Sequence, residues 1–169
     1  MHSIAFRHRW GVIAALAISA LLNMVAARSA DGAPTVGVDA PVAFVRNFFA
    51  AFDRRDIPFM TQQFEEAALI VHDDGVINTV PELMGVIAGA KAWAPRQREL
   101  SHFMVEMLSP SVYLVTCKNR VIFDPKTTSR SEYSYTETWV LRSRSGSLKA
   151  VHSHYSKITQ SEHSEESNQ

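Results

Sequence analysis

The sequence predicts an α+β domain in which helices from the first half pack on one face of a curved antiparallel sheet from the second half. Three observations predict it. Phe44, Val45, Phe48, Phe49 and Phe52 recur at intervals of three and four, the spacing of a helix with one apolar face. From residue 100 to 159 the chain reads as four long strands separated by the turn-forming connectors Ser109–Pro110, 124–128 and Ser145–Gly146. Helices first and a meander last is the segregated order of an α+β fold. A length of 169 residues, 46% of them hydrophobic, suits one domain with a real core and leaves little room for a second.

The elements follow in order. Residues 1–27 are expected to be a secretory signal: a head with Arg7 and Arg9, an apolar run over 10–22, then Val25 and Ala27 placed for cleavage after Ala27. The thirteen apolar residues reach roughly 20 Å as a helix, short of the ~30 Å hydrocarbon core, although extension to Ala27 makes an uncleaved anchor the alternative. Cleavage leaves 142 residues with a net charge of −2, no stable membrane insertion, and a periplasmic or secreted location. Residues 28–38 read as a flexible leader, 39–159 as the domain and 160–169, with no apolar residue, as a disordered tail. Within the domain, Pro41 suits the first turn of the first helix and Pro58 that of a short second helix over 57–64. A strand over 69–72, a turn at Asp73–Asp74–Gly75 and a return over 76–79 make a hairpin. A third helix, weakened by Gly85 and Gly89, covers 81–93. Strands are expected at 100–108, 112–123, 131–142 and 147–159.

Composition excludes several classes. Seventeen basic residues balance seventeen acidic ones, with no basic tail or stripe, so nucleic acid is not an expected partner. Cys117, alone in the sequence, cannot form an internal disulfide or a cysteine-built metal site, and its place inside a strand pattern predicts burial. No glycine-rich phosphate cradle, nucleophile elbow or paired thiol occurs, and no cofactor is expected.

The order helix–helix–hairpin–helix–four strands resembles the nuclear-transport-factor-2-like superfamily. The closing run Thr136–Glu137–Thr138–Trp139–Val140–Leu141, followed by Ser145–Gly146 and Val151–His152–Ser153–His154–Tyr155–Ser156, is similar to the last hairpin of SnoaL-like or DUF4440-type small bacterial proteins. It also resembles the association domain of calmodulin-dependent kinase II. The turn departs from the usual pattern, with Ser145–Gly146 for Asp-Gly and Leu148 where a tryptophan usually stands. The resemblance covers residues 42–158 and implies a cone with helices on the concave face of the sheet. It does not imply one activity, because this fold hosts isomerases, dehydratases, cyclases and assembly modules.

Strand register gathers the polar residues. A two-residue loop at Ser145–Gly146 sets Trp139 opposite His152, Glu137 opposite His154 and Tyr135 opposite Ser156. A tight turn at Ser109–Pro110 sets His102 opposite Cys117, and pairing Phe123 with Ser131 sets Asn119 opposite Tyr135. One face then carries His102, Met104, Val115, Cys117, Asn119, Tyr135, Glu137, Trp139, His152 and His154. A polar group set in an aromatic frame is what a small-molecule cavity needs. Glu137 beside His154 and His152 makes a candidate acid–base centre, with Tyr135, Asn119, Trp139 and His102 as ligand contacts. A shared metal is not expected, since the two histidines lie roughly 6.6 Å apart along the strand and lack a defined third ligand. His72 ends its strand near the cavity mouth, and Asp73 and Asp74 read as turn formers. The opposite face, with Phe103, Val105, Met107, Leu114, Thr116, Thr138, Val140, Val151 and Tyr155, is expected to join a second subunit. These features predict an exported protein that binds a small hydrophobic molecule bearing polar groups. The expected chemistry is isomerisation, cyclisation or dehydration by His/Glu catalysis, and the alternative is a non-catalytic oligomerising module.

Overall fold

The structure, a computed structural model, describes Gly37 and residues 39–159. The expected signal over 1–27, nearly all of the leader and the tail over 160–169 lie outside the described residues. Three helices, α1 (Asp39–Asp53), α2 (Ile57–Gln62) and α3 (Val80–Gly89), and six strands make the domain. The strands are β1 (Phe64–Val71), β2 (Ile77–Thr79), β3 (Arg96–Ser109), β4 (Val112–Phe123), β5 (Ser131–Arg144) and β6 (Ser147–Lys157). They form one sheet in the order β2-β1-β6-β5-β4-β3. The sheet is mixed rather than wholly antiparallel, because β1 and β6 run parallel.

Local chemistry sets the element ends. The Asp56 carboxylate accepts from the Phe59 backbone N–H and caps α2, whose first turn holds Pro58. At α3, the Glu82 carboxylate accepts from both the backbone N–H (2.8 Å) and hydroxyl (2.7 Å) of Thr79. The Arg55 guanidinium donates to the carbonyls of Ile87, Ala88 and Ala90, satisfying the C-terminal end of α3. Gly75, at φ +85°, closes the β1–β2 turn in a conformation that only glycine adopts at no steric cost.

The apolar face of α1 buries Phe44, Val45, Phe48 and Phe49. These rings meet Trp139 of β5 edge-on, with the Phe48 centroid 4.8 Å and the Phe49 centroid 5.9 Å away. Phe64 stacks on the same indole at 6.0 Å. The core therefore lies between α1 and the inner face of β4–β6, and Cys117 is buried within it.

Two irregularities change which side chains face inward. The β4–β5 register is the expected one throughout, with Asn119 opposite Tyr135 and Cys117 opposite Glu137. Across β5–β6 the expected register holds from Arg144–Ser147 to Leu141–Ala150, but Val151 is an extra residue, so that Val140 pairs with His152. Trp139 therefore faces Ser153, and Glu137 faces Tyr155. A second bulge in β3 lies between Ser101 and Met104, with His102 at φ +52°. Each bulge shifts the side-chain alternation by one residue.

Candidate functional site

Between α1, α3 and the sheet lies a cavity of about 370 Å³. Its deep end is aromatic, formed by Phe48, Phe49, Phe64 and Trp139. Its polar atoms come from Arg96, Arg98, Asn119, Tyr135, Glu137, Ser153, Tyr155 and His72. A few placed polar groups in an apolar wall are the usual composition of a small-molecule site.

One wall holds a chain of side chains drawn from four elements. Asp53, the last residue of α1, accepts from Arg98 Nε (3.0 Å) and Nη2 (2.9 Å). Arg98 Nη1 donates to Asn119 Oδ1 at 2.6 Å, and Asn119 Nδ2 donates to Glu137 Oε1 at 2.6 Å. Arginine has no acceptor, so Asn119 must present its carbonyl to Arg98 and its amide N–H to Glu137. Oε1 of Glu137 is therefore always an acceptor, and any proton the carboxyl carries sits on Oε2. Glu137 is only 4% exposed. Burial pushes its carboxyl up to about 7, against smaller lowering effects from Asn119, Arg98 and the nearby Trp139 indole. Among the described residues, the Trp139 N–H has no hydrogen-bond partner of ordinary geometry.

Beside this chain, on the same face of the sheet, stand Tyr155, Tyr135, Ser153 and His72. Tyr155 stands opposite Glu137 across β5–β6, and its ring meets that of Tyr135 edge-on at 5.6 Å. The Tyr155 hydroxyl lies 2.6 Å from His72 Nδ1, while the buried His72 Nε2 has no partner among the described residues. His72 is held by backbone bonds in the turn, its N–H donating to Val76 O and its carbonyl accepting from Gly75 N–H. Burial raises the pKa of both Tyr135 and Tyr155, so both are neutral phenols, able to donate. Cys117, whose thiol is pushed up to about 12 by burial and by Glu137, is no nucleophile.

The expected site residues divide between the two faces of the sheet. Glu137, Asn119, Tyr135 and Trp139 all line the cavity. Asn119 is spent on Arg98 and Glu137, so it positions the carboxyl rather than the ligand. Trp139 is the centre of the aromatic core as well as part of the cavity floor. His152 and His154 do not join them. The Val151 bulge turns both to the outer face, where they pair with Val140 and Thr138. Among the described residues, the partner of the His154 ring is the Ser156 hydroxyl at 3.4 Å. His102 is likewise exposed, turned out by the β3 bulge, while Phe103 and Val105 pack against the core instead of forming the outer face. Tyr155, expected outside, is inside. Asp53, Arg96, Arg98 and Ser153 had no place in the expected site. For the two arginines a signal existed: Arg96, Arg98 and Leu100 alternate with Gln97 and Glu99, which extends the strand pattern back from residue 100. His72 was placed at the cavity mouth and does line the cavity.

No curated protein sequence matches the chain. Among solved structures, a putative scytalone dehydratase from Novosphingobium aromaticivorans is similar, with 10% identity over 85% of this chain and 89% of that one, at a TM-score of 0.65. The hub homology domain of the calcium/calmodulin-dependent kinase CamKII from Chlamydomonas reinhardtii aligns over 70% and 95% of the two chains, with 13% identity and a TM-score of 0.63. ActVI-ORFA from Streptomyces coelicolor aligns over 72% and 98%, with 19% identity and a TM-score of 0.62. At these identities the likeness shows the shared nuclear-transport-factor-2-like fold. The family model of the SnoaL-like domain matches residues 42–160. With most of the described domain inside that match, the chain belongs to the SnoaL-like domain family.

Proposed function

We propose that the protein is an exported acid–base enzyme that isomerises, cyclises or dehydrates a small hydrophobic compound bearing a carbonyl or hydroxyl group. The observation that carries this reading is the buried Glu137 carboxyl at the cavity wall, held near a pKa of about 7 with its acceptor edge fixed by Asn119. A base is most useful when its pKa lies near the working pH. Oε2 of the ionised carboxylate takes a proton from carbon beside a carbonyl, and the electron pair moves onto the carbonyl oxygen. Tyr155 and Tyr135 stand where a phenolic O–H can donate to that developing enolate. The proton then returns at a different carbon in an isomerisation, or goes to a β-hydroxyl that leaves as water in a dehydration. The histidines of β6 are replaced in this scheme by the Tyr155–His72 pair. Export rests on the signal-like segment over 1–27.

A simple ketone tests it. In D2O, 2-tetralone incubated with the protein should exchange its α-protons faster than in buffer, read by proton NMR, with a rate that rises as pH passes through about 7. Glu137→Gln should lower that exchange by about a hundredfold or more. Equal exchange by the variant and the natural protein overturns the assignment of Glu137.

A non-catalytic assembly role is the second reading, and the outer face favours it. Met104 (70% exposed) stands out in β3, beside a sheet surface carrying Leu114, Val140 and His152. The same surface supports a homodimer or larger homo-oligomer whichever reading holds.

A further inference from the structure

The cavity holds a second positive group whose chemistry is unspent. Among the cavity-lining residues, Arg98 is neutralised by Asp53. Arg96 also lines the cavity, is half-buried, and has no carboxylate within ion-pair distance among the described residues. Its Nε donates to the Ala94 carbonyl at 3.2 Å, and its two terminal amino groups make no hydrogen bond to the described chain. Three aromatic rings surround the guanidinium, with its carbon 4.1 Å from the Trp93 centroid, 5.0 Å from Phe123 and 5.5 Å from Phe52. Rings against its faces hold the planar group in place and leave the in-plane N–H donors of its outer edge available. Such a preoriented fork matches the two oxygens of a carboxylate.

Position adds to this. Arg96 pairs with Phe123, and Glu137 pairs with Cys117, six residues earlier on β4. The two rows are about 20 Å apart at ~3.3 Å per residue, and the long side chains shorten the gap between their functional groups. The cavity thus has a proton-transfer end at Glu137 and a cationic end at Arg96, with Val121 and the internally paired Arg98 and Asn119 between. We propose that the ligand is a hydrophobic molecule carrying a carboxylate, anchored by Arg96 at the end remote from the carbon that Glu137 addresses. This substrate class rests on the cavity being the ligand site of the proposed acid–base enzyme. The anchor binds and orients the ligand and takes no part in proton transfer.

The test uses a matched pair of probes, 2-naphthylacetate and 2-naphthylacetamide, titrated calorimetrically into the full-length protein at pH 6. Glu137 is mostly neutral there and does not repel the anion. The carboxylate should bind at least tenfold tighter than the amide. Arg96→Gln should abolish that preference, bringing the two affinities within about twofold of each other, and Arg96→Lys, which keeps the charge, should retain part of it. Thermal melts of both variants establish that each is folded. If Arg96→Gln does not fold, the preference of the natural protein and its reduction in Arg96→Lys decide the matter. A carboxylate that binds no tighter than the amide, or does not bind, overturns the proposal, as does a preference that survives Arg96→Gln. The exchange test with 2-tetralone uses a neutral compound, so the acid–base reading and the anionic anchor fail separately.

Discussion

The two sides of the sheet surface that lines the cavity solve the problem of buried polarity in opposite ways. On the α1–β3–β4–β5 wall, each donor and acceptor from Asp53 through Arg98 and Asn119 to Glu137 Oε1 has an assigned direction. Arg98 can only donate, so the polarity of the whole chain is dictated from one end. The β1–β6 wall has no such anchor. The Tyr155–His72 contact works with either partner as donor, and the unpartnered His72 Nε2 completes the imbalance. A fixed wall sets where a proton resides, whereas a tautomerically free wall can follow a ligand whose own polarity changes during reaction. This difference is why Glu137 is assigned the base and the phenols the responsive donors.

Breaking the fixed wall should cost the most. Arg98→Met strands Asp53 and Asn119 beside an apolar core, and should lower stability in urea by about 3 kcal/mol, as removal of one partner of a buried pair does. A loss under 1 kcal/mol would show that water already satisfies these groups. Titrating the same wall comes next. Because the folded-state pKa of Glu137 is raised from 4.5 to about 7, the native protein binds a proton between these values that the unfolded chain does not. Stability from this group is fully present below about 4.5 and is lost as pH rises through 7, by up to about 3 kcal/mol. Glu137→Gln keeps the acceptor for Asn119 and removes the titration, so its stability should fall less between pH 5 and pH 8 than that of the natural protein. Parallel profiles for the two proteins would contradict this. The adaptable wall should be the most forgiving: Tyr155→Phe removes one hydrogen bond at a half-buried site and should cost about 1 kcal/mol. A cost as large as that of Arg98→Met would make the two walls equally rigid.

Much of the fold was legible because its signals are local or periodic. The apolar stripe of α1, the prolines in the first turns of α1 and α2, the Asp73–Asp74–Gly75 turn and the Ser145–Gly146 hairpin loop each express short-range chemistry. The β4–β5 register could be counted because no residue interrupts it, and with it came Glu137, Asn119 and Tyr135. The β5–β6 register follows the expected count as far as Leu141–Ala150. Nothing about Val151 in the local sequence marks an extra residue, and that one insertion exchanges His152 and His154 for Ser153 and Tyr155. The β3 bulge at His102 is equally silent, because histidine, although enriched among positive-φ residues, adopts ordinary backbone at most of its positions. Asp53 was invisible for another reason: its role depends on where α1 ends relative to β3, a tertiary relation between residues 45 positions apart.

The central claim is that Glu137 is a carboxyl poised for proton transfer. Carbon-13 NMR of protein labelled at glutamate side chains, with the Glu137 resonance assigned by its loss in Glu137→Gln, reads its titration directly. A midpoint near 7 is the predicted result. A midpoint near the ordinary 4.5 would mean that the carboxyl is solvated like any surface glutamate, and would remove the base from the cavity.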